Sequence, residues 1–170
     1  MIAGAALFST PAGAQNLLGD FGDWILMGDD TMSLALTTDS DNIAFGLVCG
    51  PDCHIYIEPH EPCIEARSYP VTLETGADTL MVTMTCTASQ SEPLLVMDED
   101  KKFLAMIAKQ ESLLVTITRE DGRLSQFRFP LAGSELAIGL ALAASHYIAP
   151  PLTVAVPDHF AVPRPGKSLN

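Results

Sequence analysis

Five side chains that can ligate a soft metal or cross-link the chain fall within fifteen residues: Cys49, Cys53, His54, His60 and Cys63. Two chemistries suit them. Thiolates and imidazoles are good zinc or copper ligands, and the Cys-x3-Cys pair, one histidine and Cys63 would surround one ion. The spacing matches no standard finger or ribbon. With Cys86 the cysteines number four, an even count that two disulfides would use up. Of the three pairings, Cys49 with Cys86 and Cys53 with Cys63 is the expected one. The first would join two core-facing strand ends, and the second would close a short loop. Even with every cysteine bridged, His54 and His60 with Glu58 and Glu61 remain a candidate set for zinc or copper. The competing reading is that surface histidines beside acids are simply solvated.

Other chemistry finds less support in the residues. Gly133-Ser134-Glu135 lacks the Gly-x-Ser-x-Gly pattern of a nucleophile elbow, so Ser134 reads as a helix cap. Carboxylates are too numerous for any pair to stand out as general acid and base. Asp39-Ser40-Asp41-Asn42 lacks the central glycine and terminal glutamate of a calcium loop. A hydrolase would need His60 or His146 beside a serine and a buried carboxylate. No catalytic residue is assigned.

The elements that must position the cysteines read as short strands. Ile43, Phe45, Leu47 and Cys49 share one parity, as do Cys53, Ile55 and Ile57, and Leu80, Val82, Met84 and Cys86. Period-two alternation puts these rows inward and turns His54, Tyr56 and Glu58 to the wetter face. Further strands are expected at Trp24–Met27, Met32–Thr37, Val71–Leu73, Leu113–Thr118 and Leu124–Phe129. Turns are expected at 39–42 and 74–78, and at Asp121-Gly122, a strong hairpin signal. Trp24 reads as a core residue. Two short helices are expected, about 101–110 with Phe103, Met106 and Ile107 on one face, and 133–145 with Leu136, Leu140 and Ala143 on one stripe. The fold class is therefore mainly β, an antiparallel sandwich or barrel-like domain with two short helices.

Residues 1–14 have the apolar run and the Ala12-Gly13-Ala14 step of a signal peptide truncated at its start, with Gln15 as the mature N-terminus. One β-rich domain is expected over 15–149, followed by a proline-rich tail at 150–170. Export makes a periplasmic or secreted location the expectation, and an oxidising compartment favours bridges over a thiolate metal site. The longest apolar stretch, 131–144, is interrupted by Ser134 and Glu135 and is too short to span a bilayer.

The formal charge is −12, and its distribution is uneven. Residues 1–100 hold sixteen acids against the single base Arg67. Such a field repels nucleic acid and anionic lipid and draws cationic partners. The expectation is a non-enzymatic, exported, envelope-associated protein that needs no cofactor and binds a protein partner of cationic character. The alternative is a periplasmic metal-binding protein built on residues 49–63.

Two stretches resemble a known family. Phe21-Gly22-Asp23-Trp24 follows the export signal, and Phe127-Arg128-Phe129-Pro130-Leu131-Ala132-Gly133-Ser134-Glu135-Leu136-Ala137 closes the run from Phe103 to Ala144. The chain is similar in these features to the invasion-associated locus B family of proteobacterial envelope proteins. There a Gly-Asp-Trp strand follows the signal, and a Pro-Leu-x-Gly step leads into a closing helix. A cysteine usually follows that tryptophan closely, where this chain has Met27. The resemblance implies a periplasmic or secreted all-β sandwich without an assigned enzyme activity.

Overall fold

The computed structural model describes residues 16–88 and 93–145. The signal segment 1–14 and the tail 150–170 read from the sequence lie outside them. Ten strands build one antiparallel sheet: β1 (Asn16–Phe21), β2 (Trp24–Gly28), β3 (Ser33–Thr38), β4 (Ala44–Cys49), β5 (Cys53–Glu58), β6 (Ser68–Glu74), β7 (Thr79–Ala88), β8 (Pro93–Asp98), β9 (Ser112–Thr118) and β10 (Leu124–Pro130). The helices are α1 (Lys101–Ile107) and α2 (Ser134–Ser145). Spatial order is β1-β2-β3-β4-β5-β8-β7-β6-β9-β10, so the meander is interrupted twice: the β6–β8 unit is reversed, which puts β8 beside β5 and β6 beside β9.

The turns follow their local chemistry. The Asp39 carboxylate accepts from the backbone N–H groups of Asp41 and Ile43, with Asn42 left-handed at φ 63°. At the β9–β10 hairpin Gly122 has φ 79° and Arg119 N donates to Arg123 O at 2.8 Å. At the first turn of α1, Asp100 caps the helix by accepting from Lys102 N and Phe103 N.

The sheet folds over so that its two ends share one core. Phe129 of β10 lies with its ring 5.1 Å from that of Phe45 on β4, and Trp24 and Phe103 meet Phe45 edge-on at 6.1 Å each. All four rings are almost fully buried, each worth roughly 1.5–3 kcal/mol of apolar transfer. Trp24 is thus a core residue, as its sequence context suggests. The arrangement is sandwich-like, not a closed barrel, because β1 and β10 form no ladder with each other.

What joins the ends is a corner. Trp24 Nε1 donates to Pro130 O at 3.1 Å, and Asp23 N donates to Ala132 O at 2.9 Å. Gly133, at φ 91°, lies so close to Phe21 that a Cβ on it would fall 1.6 Å from the Phe21 carbonyl oxygen. The two stretches that carry the family resemblance are therefore packed against each other.

The structure corrects several sequence readings of detail. Helix α2 buries Ala137, Ile138 and Ala141, whereas Leu136 and Leu140 of the expected stripe are exposed. Small residues let the helix approach β3 closely enough for Ser33 Oγ to donate to Ala141 O at 2.9 Å. Ser134 is not a cap: it is the first residue of α2 and fully buried, and its Oγ has no hydrogen-bond partner among the described residues. Tyr56, expected on the wet face, is only 7% exposed. Strands β1 and β8 have no counterpart in the sequence reading.

Candidate functional site

The residues singled out from the sequence divide among three places. Cys49 and Cys53 are directly opposite on β4 and β5 and are bridged to each other across their three-residue turn. Cys63, in the β5–β6 connection, is bridged to Cys86 on β7. The expected pairing of Cys49 with Cys86 and Cys53 with Cys63 is thus overturned. The short turn brings Cys49 and Cys53 face to face, and the β8 insertion separates β5 from β7 in the sheet. No cysteine is free, which removes the thiolates from any metal site.

The histidines go separate ways. His54 Nδ1 lies 3.3 Å from Asp98 Oδ1 on β8, its register partner. His60 sits in the β5–β6 connection with φ 50°. Glu61 leaves that loop to pair with Arg119 on β9–β10, and Glu58 remains at the end of β5. Among the described residues, no group of three or more His, Cys, Asp or Glu side chains is arranged to hold a metal. His146, the other histidine considered for hydrolysis, lies outside the described residues.

The cluster that the structure does assemble was not anticipated. The Arg119 side chain is 9% exposed, with Nη2 2.6 Å from Glu61 Oε2 in a charge contact that lacks hydrogen-bond alignment. Its Nε donates to Ser125 Oγ at 3.0 Å, and Ser125 Oγ donates to the same glutamate oxygen at 3.1 Å. Beside it, Tyr69 Oη accepts from Ile64 N and donates to Glu120, which also pairs with Arg67 at 2.8 Å. These contacts fasten the 59–67 loop to the β9–β10 hairpin, and the Cys63–Cys86 bridge ties it to β7. Between them opens a groove of about 650 Å³ whose walls include Pro62, Ile64 and Tyr69. Each charged group that lines the groove faces an opposite charge: Glu61 meets Arg119, Glu120 meets Arg67, and Asp121 meets Arg123. Sequence reasoning missed it because Glu61 and Arg119 are distant in the chain, and no spacing rule connects a loop acid to a hairpin base.

Three carboxyl and phenol groups have displaced titrations. The Thr31 hydroxyl, followed by backbone N–H groups of Thr31 and Met32, holds the Asp29 carboxyl below the usual range. The Arg123 side chain does the same for Asp121 in the hairpin. Burial, with a smaller contribution from nearby Glu58, pushes the Tyr56 phenol above its ordinary range. Tyr56 is therefore neutral wherever the protein is folded at ordinary pH, as a group inside an apolar surface must be.

Fold and site together define a mainly β, sandwich-like module stapled by two disulfides. No protein-family model matches the chain, and no curated protein sequence matches it. It is similar to the crystal structure of invasion associated protein B from Bartonella henselae, at 14% sequence identity and a TM-score of 0.46, over 77% of this chain and 99% of that one. No helix among the described residues is long and apolar enough to cross a membrane.

Proposed function

We propose that this is an exported, envelope-associated protein of the periplasm or the extracellular space, which acts by binding another protein and neither catalyses a reaction nor carries a cofactor. The observation that supports this reading is the closure of all four cysteines into two bridges. Disulfides persist in oxidising compartments and are rare where glutathione keeps thiols reduced. The acidic field of the first hundred residues adds the character of the partner, since it attracts cationic surfaces and repels phosphate-bearing ones.

The test is to express the full chain in a proteobacterial host, trap thiols at lysis and fractionate the cells. The expected product lies in the periplasm or medium, begins at Gln15 and has a mass four hydrogens below the fully reduced value. Recovery from the cytosol with free thiols would overturn the reading.

A further inference from the structure

An antiparallel sheet with one face on the core normally turns polar side chains outward. Half of this sheet does not. The residues facing away from the core on β1 to β5 and β8 form two rows fixed by strand register. Leu17, Met27, Leu34 and Val48 stand in line across β1 to β4 in the first, beyond which the line turns polar at His54 and Asp98. Ile25, Leu36, Tyr56 and Val96 stand in the second, with Gly46 between Leu36 and Tyr56. Leu17 is 65% exposed, and every other residue of the rows except Tyr56 and Gly46 is half-buried. Helix α2 does not cover them, because its bond from Ser33 puts it on the opposite, core side. The apolar character of the second row stops at β8, where Val96 meets Thr85. Outward positions on β7 and β6 are mostly polar, among them Thr83, Thr85, Ser68 and Thr72, with Ser68 and Thr85 hydrogen-bonded at 3.2 Å; Met81, 77% exposed, is the apolar exception on β7.

Acids surround this strip. Asp29, Asp30, Asp52 and Asp98 lie at one end of the strands, and Asp20, Asp39 and Asp41 at the other, while residues 16–66 contain no Lys or Arg. The first row is apolar over four strands and the second over five, so at about 4.8 Å per strand they span roughly 14 and 19 Å, and the two rows with their margins cover on the order of 300 Å². That is the size of the largest apolar patch on an ordinary monomer, which is often functional. Twice this area still falls short of the roughly 1,000 Å² that a stable dimer needs, and two copies of so acidic a surface repel each other. A single amphipathic helix of about thirteen residues is about 19 Å long and matches the longer row.

We propose that the outward face of β1 to β5 and β8 is a docking surface for a basic amphipathic segment of another protein, whose apolar stripe covers the two rows and whose Lys and Arg side chains reach the acids at either end. The proposal rests on the reading that the protein works by binding, and it specifies where and what.

The test uses the full oxidised chain and a fluorescent Leu/Lys amphipathic helix of about eighteen residues, with a Leu/Glu peptide of the same pattern as control. Binding is read by anisotropy at low and high salt, and coverage by the oxidation rate of Met27. Expected are binding of the Leu/Lys peptide alone, about tenfold weakening at high salt, and protection of Met27. Joint substitution of Leu36→Gln and Val96→Thr should weaken binding about tenfold. Asp20→Asn, Asp41→Asn and Asp52→Asn together leave the apolar rows intact and should remove most of the salt dependence. Circular dichroism and the oxidised mass establish that each variant is folded.

Equal binding of both peptides, or of neither, would overturn the proposal. So would Met27 already protected in the unliganded monomer, which would make the occupant a segment of this chain. A dimer in sedimentation that the Leu36→Gln and Val96→Thr variant dissociates would make it a second copy. Failure here with correct export leaves the functional reading standing. Cytosolic reduced protein that still binds the peptide would sink that reading and spare the surface.

Discussion

Ser134 shows how a polar residue can be misjudged from its neighbours alone. A serine at the head of a helical stretch is the usual cap, and its loss then costs about 1 kcal/mol. In this fold the corner made by Gly133 carries Ser134 one position into α2 and buries it completely, and its hydroxyl finds no acceptor or donor among the described residues. A buried hydroxyl without a partner carries a desolvation penalty, and alanine is the better helix former. Ser134→Ala is therefore expected to leave stability unchanged or raise it by up to about 1 kcal/mol in urea denaturation. A loss of more than about 1 kcal/mol would restore the capping role. The burial of Cys49 and Cys86 was legible, since parity alone puts them in the apolar rows. Their partners were not, because pairing depends on which strands become neighbours, and that is decided by the insertion of β8.

Strand existence was readable wherever one parity was apolar and a turn residue followed, as at β4, β9 and β10. It was not readable at β1, a six-residue edge strand with Gly19 inside it and most of its side chains exposed. The stripe of α2 was misread for a related reason. Helical spacing shows which residues share a face, but the choice of face depends on how near the sheet comes, and a close approach selects Ala137 and Ala141 over Leu136 and Leu140. The corner sets that approach. Gly133 and Gly122 both have left-handed backbones, at φ 91° and 79°, but only Gly133 is pressed against another segment, since nothing lies within 4 Å of a Cβ at Gly122. Substituting alanine at Gly122 should cost only the conformational penalty, about 1–2 kcal/mol. At Gly133 the same penalty combines with a clash against the Phe21 backbone, and the loss should reach about 3 kcal/mol or more. Thermal and urea unfolding of the two variants compare them directly. Equal losses would mean that the meeting of Phe21 with Gly133 does not hold the sheet's ends together.

At the scale of the whole molecule, two staples and an uneven charge distribution act on the same halves of the sheet. The strands from β1 to β5 carry acids and no bases, so this half repels itself and depends on burial and cross-links to stay compact. The bridges are unequal in what they restrain. Cys49 and Cys53 are four residues apart and already opposite in a hairpin, so their bridge removes little freedom from the unfolded chain. Cys63 and Cys86 are 23 residues apart and tie the β5–β6 connection to β7, beyond the inserted β8. On chain entropy the shorter loop is worth about 2 kcal/mol and the longer about 3.4 kcal/mol. Each bridge has one member buried in the core, so the cavities left by alanine should be similar. The double variant Cys63→Ala with Cys86→Ala should therefore lose about 1.5 kcal/mol more than Cys49→Ala with Cys53→Ala in urea unfolding. It should also loosen the groove, because the loop that delivers Glu61 to Arg119 would then be held only by polar contacts. Hydrogen exchange at residues 61–69 reads that second effect: faster exchange in the Cys63/Cys86 variant alone is the expected outcome. Equal destabilisation by both variants, with unchanged exchange in the loop, would show that the longer bridge does not organise this end of the molecule.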